Sequence, residues 1–145
     1  MEKINVKIQM EGDETVLLPI YQTKGSVGCD LINQGDNIRL LPLDRVYIHT
    51  GVYIALPDGY EAQVRGRSGL NKDQGLVVPV GTIDADYRGE IGVIIYNLSR
   101  EERFIARGQR VAQLVISPVV QAEWEEVDHL DSTERGDKGF GSTGR

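Results

Sequence analysis

Three short segments of the chain combine residue types that bind phosphate or activate water. The first, residues 66–70 (GRSGL), offers the guanidinium of Arg67, the hydroxyl of Ser68 and the backbone N–H of Gly69. These donors suit a phosphate group at the start of a short helix. A plain helix cap needs the same residue types, so this segment alone is weak evidence for a site.

The second segment, residues 81–90 (GTIDADYRGE), places acidic side chains directly after an apolar run. Asp84 follows the predicted strand, so a rigid element could hold its carboxylate toward a cleft. There the carboxylate could take a proton from an attacking water, and Tyr87 could pack flat against a sugar ring. The apolar runs on both sides predict a hairpin, and an ordinary hairpin with an acidic turn explains the segment about equally well.

The third segment is the C-terminal stretch from residue 131 to 145, which contains four glycines and one large apolar side chain, Phe140. Glycines let successive N–H groups point at one anion. Arg135, Ser142 and Thr143 add phosphate donors, and Phe140 suits stacking on a nucleobase. A polar tail without function is the alternative.

Strands must position these segments, because the dominant hydrophobic period of the chain is two. Residues 4–10 alternate polar and apolar side chains, and further β-like runs follow at short spacing with turn residues between them. These runs lie at residues 38–41, 46–56, 60–64, 76–80, 91–96, 104–106, 111–115 and 124–127. Only residues 68–74 favour a helix. We therefore predict an all-β barrel or sandwich over residues 1–130, followed by a flexible C-terminal arm over residues 131–145.

The bulk composition narrows the classes of function. A chain of 145 residues with 40% apolar and 26% charged residues suits one globular domain. Its net charge of −6 argues against non-specific binding of nucleic acid, which depends on Lys and Arg. The one cysteine, Cys29, excludes an internal disulfide, and the N-terminal sequence lacks a long apolar stretch. We expect a cytoplasmic protein that binds neither nucleic acid nor membrane.

In chain order, five stretches resemble the motif set of the homotrimeric dUTPases (deoxyuridine triphosphate nucleotidohydrolases). They are residues 28–31 (GCDL), 67–70 (RSGL), 81–90, 110–114 (RVAQL) and the tail from Arg135 to Gly144. The third and fifth are highly specific, and the resemblance covers residues 25 to 144. It implies a jelly-roll-like β-barrel that hydrolyses dUTP to dUMP and pyrophosphate with Mg²⁺. Such an enzyme limits dUTP and supplies dUMP for dTMP synthesis.

The resemblance also implies a role for each matched residue. Asp84 would deprotonate the water that attacks the α-phosphorus, Tyr87 would exclude a 2′-hydroxyl, and Asp30 would act on Mg²⁺ through water. The implied substrate-binding residues are Arg67, Ser68, Gly69, Gly81, Thr82, Ile83, Tyr87, Gly92, Gln113, Arg135, Phe140, Gly141, Ser142 and Thr143. Gly92 would keep the uracil pocket free of a side chain, and the arm would close over the nucleotide.

The family builds each site from three chains, which implies a homotrimer with shared active sites. The hairpin would come from one subunit, the phosphate loops from a second and the arm from a third. This chain departs from the usual motifs at Cys29 and Asn71, and its residues 77–80 (VVPV) offer no asparagine to the base. Main-chain groups would then select uracil.

Two rival functions are compatible with the same residues. A dCTP deaminase shares the general fold, although such chains are longer, and a nucleotide-binding regulator could keep the fold without catalysis. The remaining conspicuous residues predict no chemistry. His49 and His129 lack metal-ligand spacing, so no zinc site is expected. Asp86 is expected to hold the turn or to pair with Arg88, and Trp124 to pack on a late strand.

Overall fold

The computed structural model describes residues 3–13 and 18–139, and it confirms the all-β prediction. Its elements are β1 (Lys7–Met10), β2 (Gly28–Ile32), β3 (Ile38–Leu40), β4 (Arg45–Ile48), β5 (Val52–Ala55), β6 (Tyr60–Gly66), α1 (Ser68–Gln74), β7 (Leu76–Val77), β8 (Gly81–Ile83), β9 (Val93–Asn97), β10 (Arg103–Ile105) and β11 (Arg110–Pro118). The predicted helix at residues 68–74 is confirmed. It ends at Gly75, whose left-handed backbone (φ 66°) suits glycine.

The strands form four antiparallel sheets around one core. The largest has the order β2-β11-β6-β8, a second has the order β4-β9-β7, and the pairs β1-β5 and β10-β3 complete the fold. The nine-residue strand β11 lies in the middle of the largest sheet, with β2 on one side and β6 on the other. Segments 28–32, 60–66 and 110–118, which are distant in sequence, therefore lie side by side.

The core is built by alternation along these strands. In β6, Ala62 and Val64 are buried while the residues between them are only partly covered. In β9, Val93, Ile95 and Asn97 are fully buried in the same alternating way. Burying a Val or Ile side chain contributes about 1.5–3 kcal/mol to folding. The alternation therefore fixes which face of each strand points outward.

The predicted single strand at residues 46–56 is wrong in one respect, because the chain changes sheets within it. β4 pairs with β9, whereas β5 pairs with β1. Gly51 lies at the change with φ 66°, and a Cβ there would meet the backbone carbonyl of Glu11. The reversal therefore requires glycine.

The predicted hairpin around residues 81–90 forms only at its base. β7 pairs with β9 over two residues, Leu76 opposite Asn97 and Val77 opposite Tyr96. Pro79 follows and has no N–H to donate, so the ladder does not continue. The chain instead re-pairs as β8 with β6 in the largest sheet. Residues 84–92 consequently bridge two sheets.

The predicted strand at residues 124–127 is wrong. The described residues from 118 to 139 are all exposed and contain no strand beyond the end of β11. Trp124 is 91% exposed. The expected packing of Trp124 on a late strand is therefore wrong for this chain. A strand needs a partner for its backbone groups, and no described strand of the same chain lies alongside this segment.

No described helix is both long and apolar enough to cross a membrane. The helix α1 has seven residues. The predicted boundary between the barrel and the arm at residue 130 stays a prediction, because the arm's last residues lie outside the described part of the chain.

Candidate functional site

A cavity of about 770 Å³ opens beside α1, where the largest sheet brings three strands together. We call it the arginine cavity. The sheet register explains its walls, since Gln113 on β11 lies opposite Asp30 on β2 and opposite Arg65 on β6. Side chains on directly opposed residues share a face of the sheet. The predicted residues that line the cavity are Asp30, Arg67, Ser68, Gly69 and Gln113.

Asp30 links two arginines in the lining of the arginine cavity. Its Oδ1 lies 3.2 Å from Arg67 Nε, and its Oδ2 lies 3.3 Å from Arg110 Nη1. Gln22 Nε2 donates to Oδ2 at 2.9 Å. The Asp30 side chain is only 12% exposed, so its contacts with the two arginines are largely shielded from water.

The start of α1 leaves its polar groups available to a ligand. Arg67 is the N-cap residue with an extended backbone, and no described side chain caps the helix. The capping explanation of residues 66–70 therefore has no support in the contacts. Gln113 is held by donation of its amide to the Gly66 carbonyl at 3.1 Å, and Gly28 leaves room for it because a Cβ there would crowd Gln113 Oε1.

A second, smaller cavity of about 250 Å³ lies at the bridge between the two main sheets. We call it the Asp84 cavity. Its lining residues are Tyr47, Thr82, Ile83, Asp84, Tyr87, Glu90 and Gly92. The backbone turns tightly at this point, because Tyr87 N–H donates to the Asp84 carbonyl at 3.1 Å. The exposed Asp84 carboxylate thus lies at the end of β8, where the sequence places it.

Three side-chain hydrogen bonds fix the shape of the 84–92 segment. The Tyr87 hydroxyl donates to the Glu90 carbonyl at 3.0 Å, so its ring is held across the turn. Arg88 donates to the carbonyls of Ala85 and Tyr87. Among the described residues Arg88 forms no ion pair with Asp86, so the expected pairing of these two side chains is wrong.

Glu90 attaches the segment to the turn between β4 and β5. Its carboxylate accepts N–H groups from Thr50 at 2.9 Å and Gly51 at 2.8 Å, and its Oε2 lies 2.8 Å from His49 Nδ1. Burial raises the pKa of the Glu90 carboxyl, but the hydrogen bonds from His49, Gly51 and Thr50 outweigh it and leave the pKa below its ordinary value.

Tyr47 lines the Asp84 cavity, although it lies outside the sequence motifs. Its ring lies against Gly92, where a Cβ would collide with the phenol. Burial raises the pKa of the Tyr47 hydroxyl, with smaller contributions from Glu90 and Tyr87, so the group stays a neutral hydrogen-bond donor. Tyr47 lies opposite Ile94 on β9. In the sequence Tyr47 is only one residue of an alternating strand pattern, and such a pattern does not predict a cavity.

The two cavities share no lining residue. Ile83, the last residue of β8, lies opposite Ala62 on β6, so Asp84 lies near Glu61 at the start of β6. Arg67 follows the other end of β6. Six residues at about 3.3 Å each separate the two positions by roughly 20 Å. One chain therefore does not bring Asp84 and Arg67 to the same phosphate.

Not every predicted residue lines one of these cavities. Gly81 lies in β8 opposite Val64, and Arg135 is an exposed residue of the C-terminal segment. Neither of them lines the arginine cavity or the Asp84 cavity. Phe140, Gly141, Ser142 and Thr143 lie outside the described residues. Gln22, Arg65 and Arg110 also line the arginine cavity, and no role was predicted for them from the sequence.

The structure is thus a β-sheet protein with an arginine-lined cavity and a separate cavity that contains the Asp84 carboxylate. A family model described as dUTPase matches residues 14–144. The chain therefore belongs to the dUTPase family, and the prediction of a jelly-roll-like β fold is confirmed.

Individual relatives agree with this assignment. The chain is 47% identical to the deoxyuridine 5'-triphosphate nucleotidohydrolase of Fusobacterium nucleatum, with 100% of both chains covered. It is similar to a mutant dUTPase of Staphylococcus bacteriophage 80alpha solved with dUpNHpp (TM-score 0.89, 27% identity, 99% and 100% of the chains). A mutant dUTPase of phage phi11 of S. aureus, with a structural Mg(II) ion, shares the fold (TM-score 0.80, 24% identity, 89% and 100%).

Proposed function

We propose that this chain hydrolyses dUTP to dUMP and pyrophosphate. One observation carries the proposal: Asp84 lies exposed in a cavity that is also lined by Thr82, Ile83, Tyr87 and Gly92, residues to which the resemblance to dUTPases gives a role in substrate binding. Membership of the dUTPase family and the name of the full-length relative from Fusobacterium nucleatum support the same substrate.

Asp84 is the proposed general base. Its carboxylate accepts a proton from a water molecule, and the oxygen of that water attacks the α-phosphorus. The bond from the α-phosphorus to the bridging oxygen breaks, and pyrophosphate leaves with that oxygen. The turn that joins Asp84 and Tyr87 supports this role, because it holds the carboxylate and the aromatic ring at one edge of the cavity.

Tyr87 is the proposed determinant for deoxyribose. Its hydroxyl is held by the Glu90 carbonyl, so the ring cannot easily rotate away from the cavity. A fixed ring packed against the sugar leaves no space for a 2′-hydroxyl, and UTP would be rejected by steric conflict. Main-chain groups of residues 81–92 would then select uracil.

The phosphates bind, in this proposal, to the arginine cavity of a neighbouring copy of the chain. Arg67, Ser68, Gly69 and Gln113 supply the donors there. The separation of the two cavities within one chain, roughly 20 Å along β6, supports a site shared between copies. A homotrimer with shared sites follows, and Arg135, Phe140, Gly141, Ser142 and Thr143 would close each site from a third copy.

Mg²⁺ is the proposed cofactor, and it fits this chain only as an ion held mainly by the substrate. The described residues contain no group of three or more His, Cys, Asp or Glu side chains that could hold a metal ion. Mg²⁺ keeps several waters and binds through few carboxylates plus phosphates. Asp30, acting through water, suits that arrangement. When bound, the ion would neutralise charge on the phosphates.

We also propose that the protein acts in the cytoplasm and binds no nucleic acid. Its single cysteine suits a reducing compartment, and its net charge of −6 opposes non-specific binding to phosphate backbones.

Pyrophosphate release from dUTP, UTP, dCTP and dTTP, with and without Mg²⁺, tests the proposed reaction. We expect release from dUTP alone, and Asp84→Asn should lower turnover roughly 10²–10⁴-fold while nucleotide binding persists. Asp86→Asn, two residues along the same turn, is the matched control. Ammonia release from dCTP would favour a deaminase, and binding of dUTP without turnover would favour a regulator.

A further inference from the structure

We propose that Glu90 is a positioning residue for Tyr87: its carboxylate, held by the turn between β4 and β5, fixes the carbonyl that receives the Tyr87 hydroxyl. Glu90 thereby contributes to the selection of deoxyribose over ribose. The inference deepens the proposed function and rests on it, since Tyr87 is the determinant proposed there for the sugar. The resemblance to dUTPases assigns no role to the Glu90 side chain.

The Tyr87 ring depends on a hydrogen bond for its position, because packing leaves the residue 44% exposed. Its hydroxyl donates to the Glu90 carbonyl at 3.0 Å. Gly89 leaves room for the ring to fold back across the turn, since a Cβ there would collide with the Tyr87 hydroxyl. The direction of the Glu90 carbonyl therefore determines where the ring lies.

The peptide plane that contains the Glu90 carbonyl is held at its far end by the next residue. The Ile91 N–H donates to the Val52 carbonyl at 2.8 Å. In a trans peptide the carbonyl points opposite to the N–H, so the Glu90 carbonyl is directed away from β5. A single hydrogen bond leaves the plane free to swing about Ile91. A second attachment, at Glu90 itself, is needed to hold the other end.

The Glu90 carboxylate supplies this second attachment. Its Oε1 accepts the N–H groups of Thr50 at 2.9 Å and Gly51 at 2.8 Å, and its Oε2 lies 2.8 Å from His49 Nδ1. The Glu90 side chain is only 18% exposed, and hydrogen bonds to an ionised acceptor are stronger than those between neutral groups. The side chain thus ties the end of the turn that carries Tyr87 to the turn between β4 and β5.

A role as a second base explains Glu90 less well. Glu90 lines the Asp84 cavity, but both of its oxygens are engaged with donors. Burial raises the pKa of the Glu90 carboxyl, yet the hydrogen bonds from His49, Gly51 and Thr50 leave that pKa below its ordinary value. A carboxylate with a lowered pKa is a poorer proton acceptor.

A role in holding the β4–β5 turn also explains Glu90 less well, because that turn has other attachments. The Glu11 N–H donates to the Gly51 carbonyl at 2.8 Å, and the Thr50 hydroxyl donates to the Ile91 carbonyl. The turn is therefore the fixed partner in this contact. What the Glu90 carboxylate fixes is the segment that carries Tyr87.

Affinities for dUMP and UMP, measured by calorimetry, test the role in sugar selection. In Glu90→Ala we expect the ratio of the dUMP and UMP affinities to fall at least about fivefold, because the ring can move away from a 2′-hydroxyl. Glu90→Gln keeps an acceptor for the Thr50 and Gly51 N–H groups and should stay within about twofold of the wild-type ratio. Glu102→Ala, which breaks an arginine–carboxylate pair outside both cavities, is the matched control. Equal weakening of both nucleotides, or an unchanged ratio in Glu90→Ala, would overturn the role.

A double-mutant cycle with Tyr87→Phe tests whether Glu90 acts through the Tyr87 hydroxyl. In that background Glu90→Ala should change the affinity ratio less than about twofold, because the ring has already lost its hydrogen bond to the carbonyl. The same fall in both backgrounds would overturn this route. If Glu90→Ala does not fold, Glu90→Asp carries the comparison, since it keeps the charge but shortens the reach to the β4–β5 turn.

A crystal structure of Glu90→Ala without nucleotide separates the inference from the proposed reaction. We expect the Tyr87 hydroxyl to lie beyond hydrogen-bond distance of the carbonyl of residue 90. An unchanged hydrogen bond would overturn the inference even in a protein that hydrolyses dUTP. A displaced Tyr87 in a protein whose wild type does not hydrolyse dUTP would contradict the proposed function and leave the positioning of Tyr87 by Glu90 supported.

Discussion

At the scale of single residues, Glu90 holds the proposed catalytic segment in place. Its carboxylate accepts N–H groups from Thr50 and Gly51 and contacts His49, while its carbonyl accepts the Tyr87 hydroxyl. One residue therefore joins the turn that carries Asp84 to the turn between β4 and β5. Its ionised form is the one that these donors stabilise.

Glu90→Gln should make the free energy of unfolding less dependent on pH below about 5. The folded pKa of Glu90 lies below the ordinary 4.5, so its contribution is fully present above that value and is lost as the pH falls through the folded pKa. Urea unfolding at several pH values below about 5 measures this. The wild-type curve should fall more steeply than the mutant curve. Parallel curves would show that Glu90 contributes no pH-dependent stability.

Gly92→Ala should narrow the Asp84 cavity without unfolding the protein. The new methyl group would meet the far end of the Tyr47 side chain, which is 48% exposed and can move. Because Tyr47 lines the cavity, its displacement should weaken dUMP binding several-fold. The overpacking should lower the free energy of unfolding by roughly 1–3 kcal/mol.

Tyr47→Leu in the Gly92→Ala background should restore dUMP binding, since it removes the colliding ring. Gly25→Ala is the control, because nothing lies within 4 Å of a Cβ there. Unchanged dUMP affinity in Gly92→Ala would show that Tyr47 does not restrict the cavity.

The sequence predicts some residues of the Asp84 cavity and misses others, and the difference has a physical cause. Asp84 and Tyr87 lie in one continuous turn, so local sequence brings them together. Tyr47 and Glu90 were missed because their roles depend on contacts across sheets, between β4 and the bridging segment. Arg110 was missed because a β-bulge decides which way it faces, and the bulge has no signal in the sequence.

At the scale of elements, the places where the chain changes sheets determine where the Asp84 cavity forms. Alternation correctly predicts most strands, but it does not say which strand pairs with which. The hairpin prediction failed at Pro79, where the ladder with β9 stops and β8 joins β6. That re-pairing separates Asp84 from the arginine cavity and makes the Asp84 cavity a feature of the junction.

Gly51→Ala should destabilise the junction between β4 and β5. Its φ of 66° is unfavourable for alanine, and the added Cβ would meet the Glu11 carbonyl. We expect a loss of roughly 1–3 kcal/mol in the free energy of unfolding, measured by urea titration. Gly35→Ala, whose Cβ would meet only Asn33 Oδ1 at 3.4 Å, is the control. Equal stability of the two variants would contradict the strain.

At the scale of the whole molecule, two features of the chain favour the proposed association of copies. The arginine cavity and the Asp84 cavity lie apart, and the described segment after β11 exposes large apolar side chains. Val120 is 98% exposed, Trp124 is 91% exposed and Leu130 is 87% exposed. Apolar side chains exposed to this degree along one segment are typical of a protein interface. Both features are accounted for if neighbouring copies complete the site and cover the segment.

Mixed assemblies test whether the sites are shared. Asp84→Asn and Arg67→Ala subunits should each be nearly inactive on dUTP. Refolded together in equal amounts, they should form trimers in which about a quarter of the sites combine an intact Asp84 with an intact Arg67 from the next copy. Pyrophosphate release should then recover to about a quarter of the wild-type rate. If each chain instead holds a complete site, every chain in the mixture carries one defect and no activity returns.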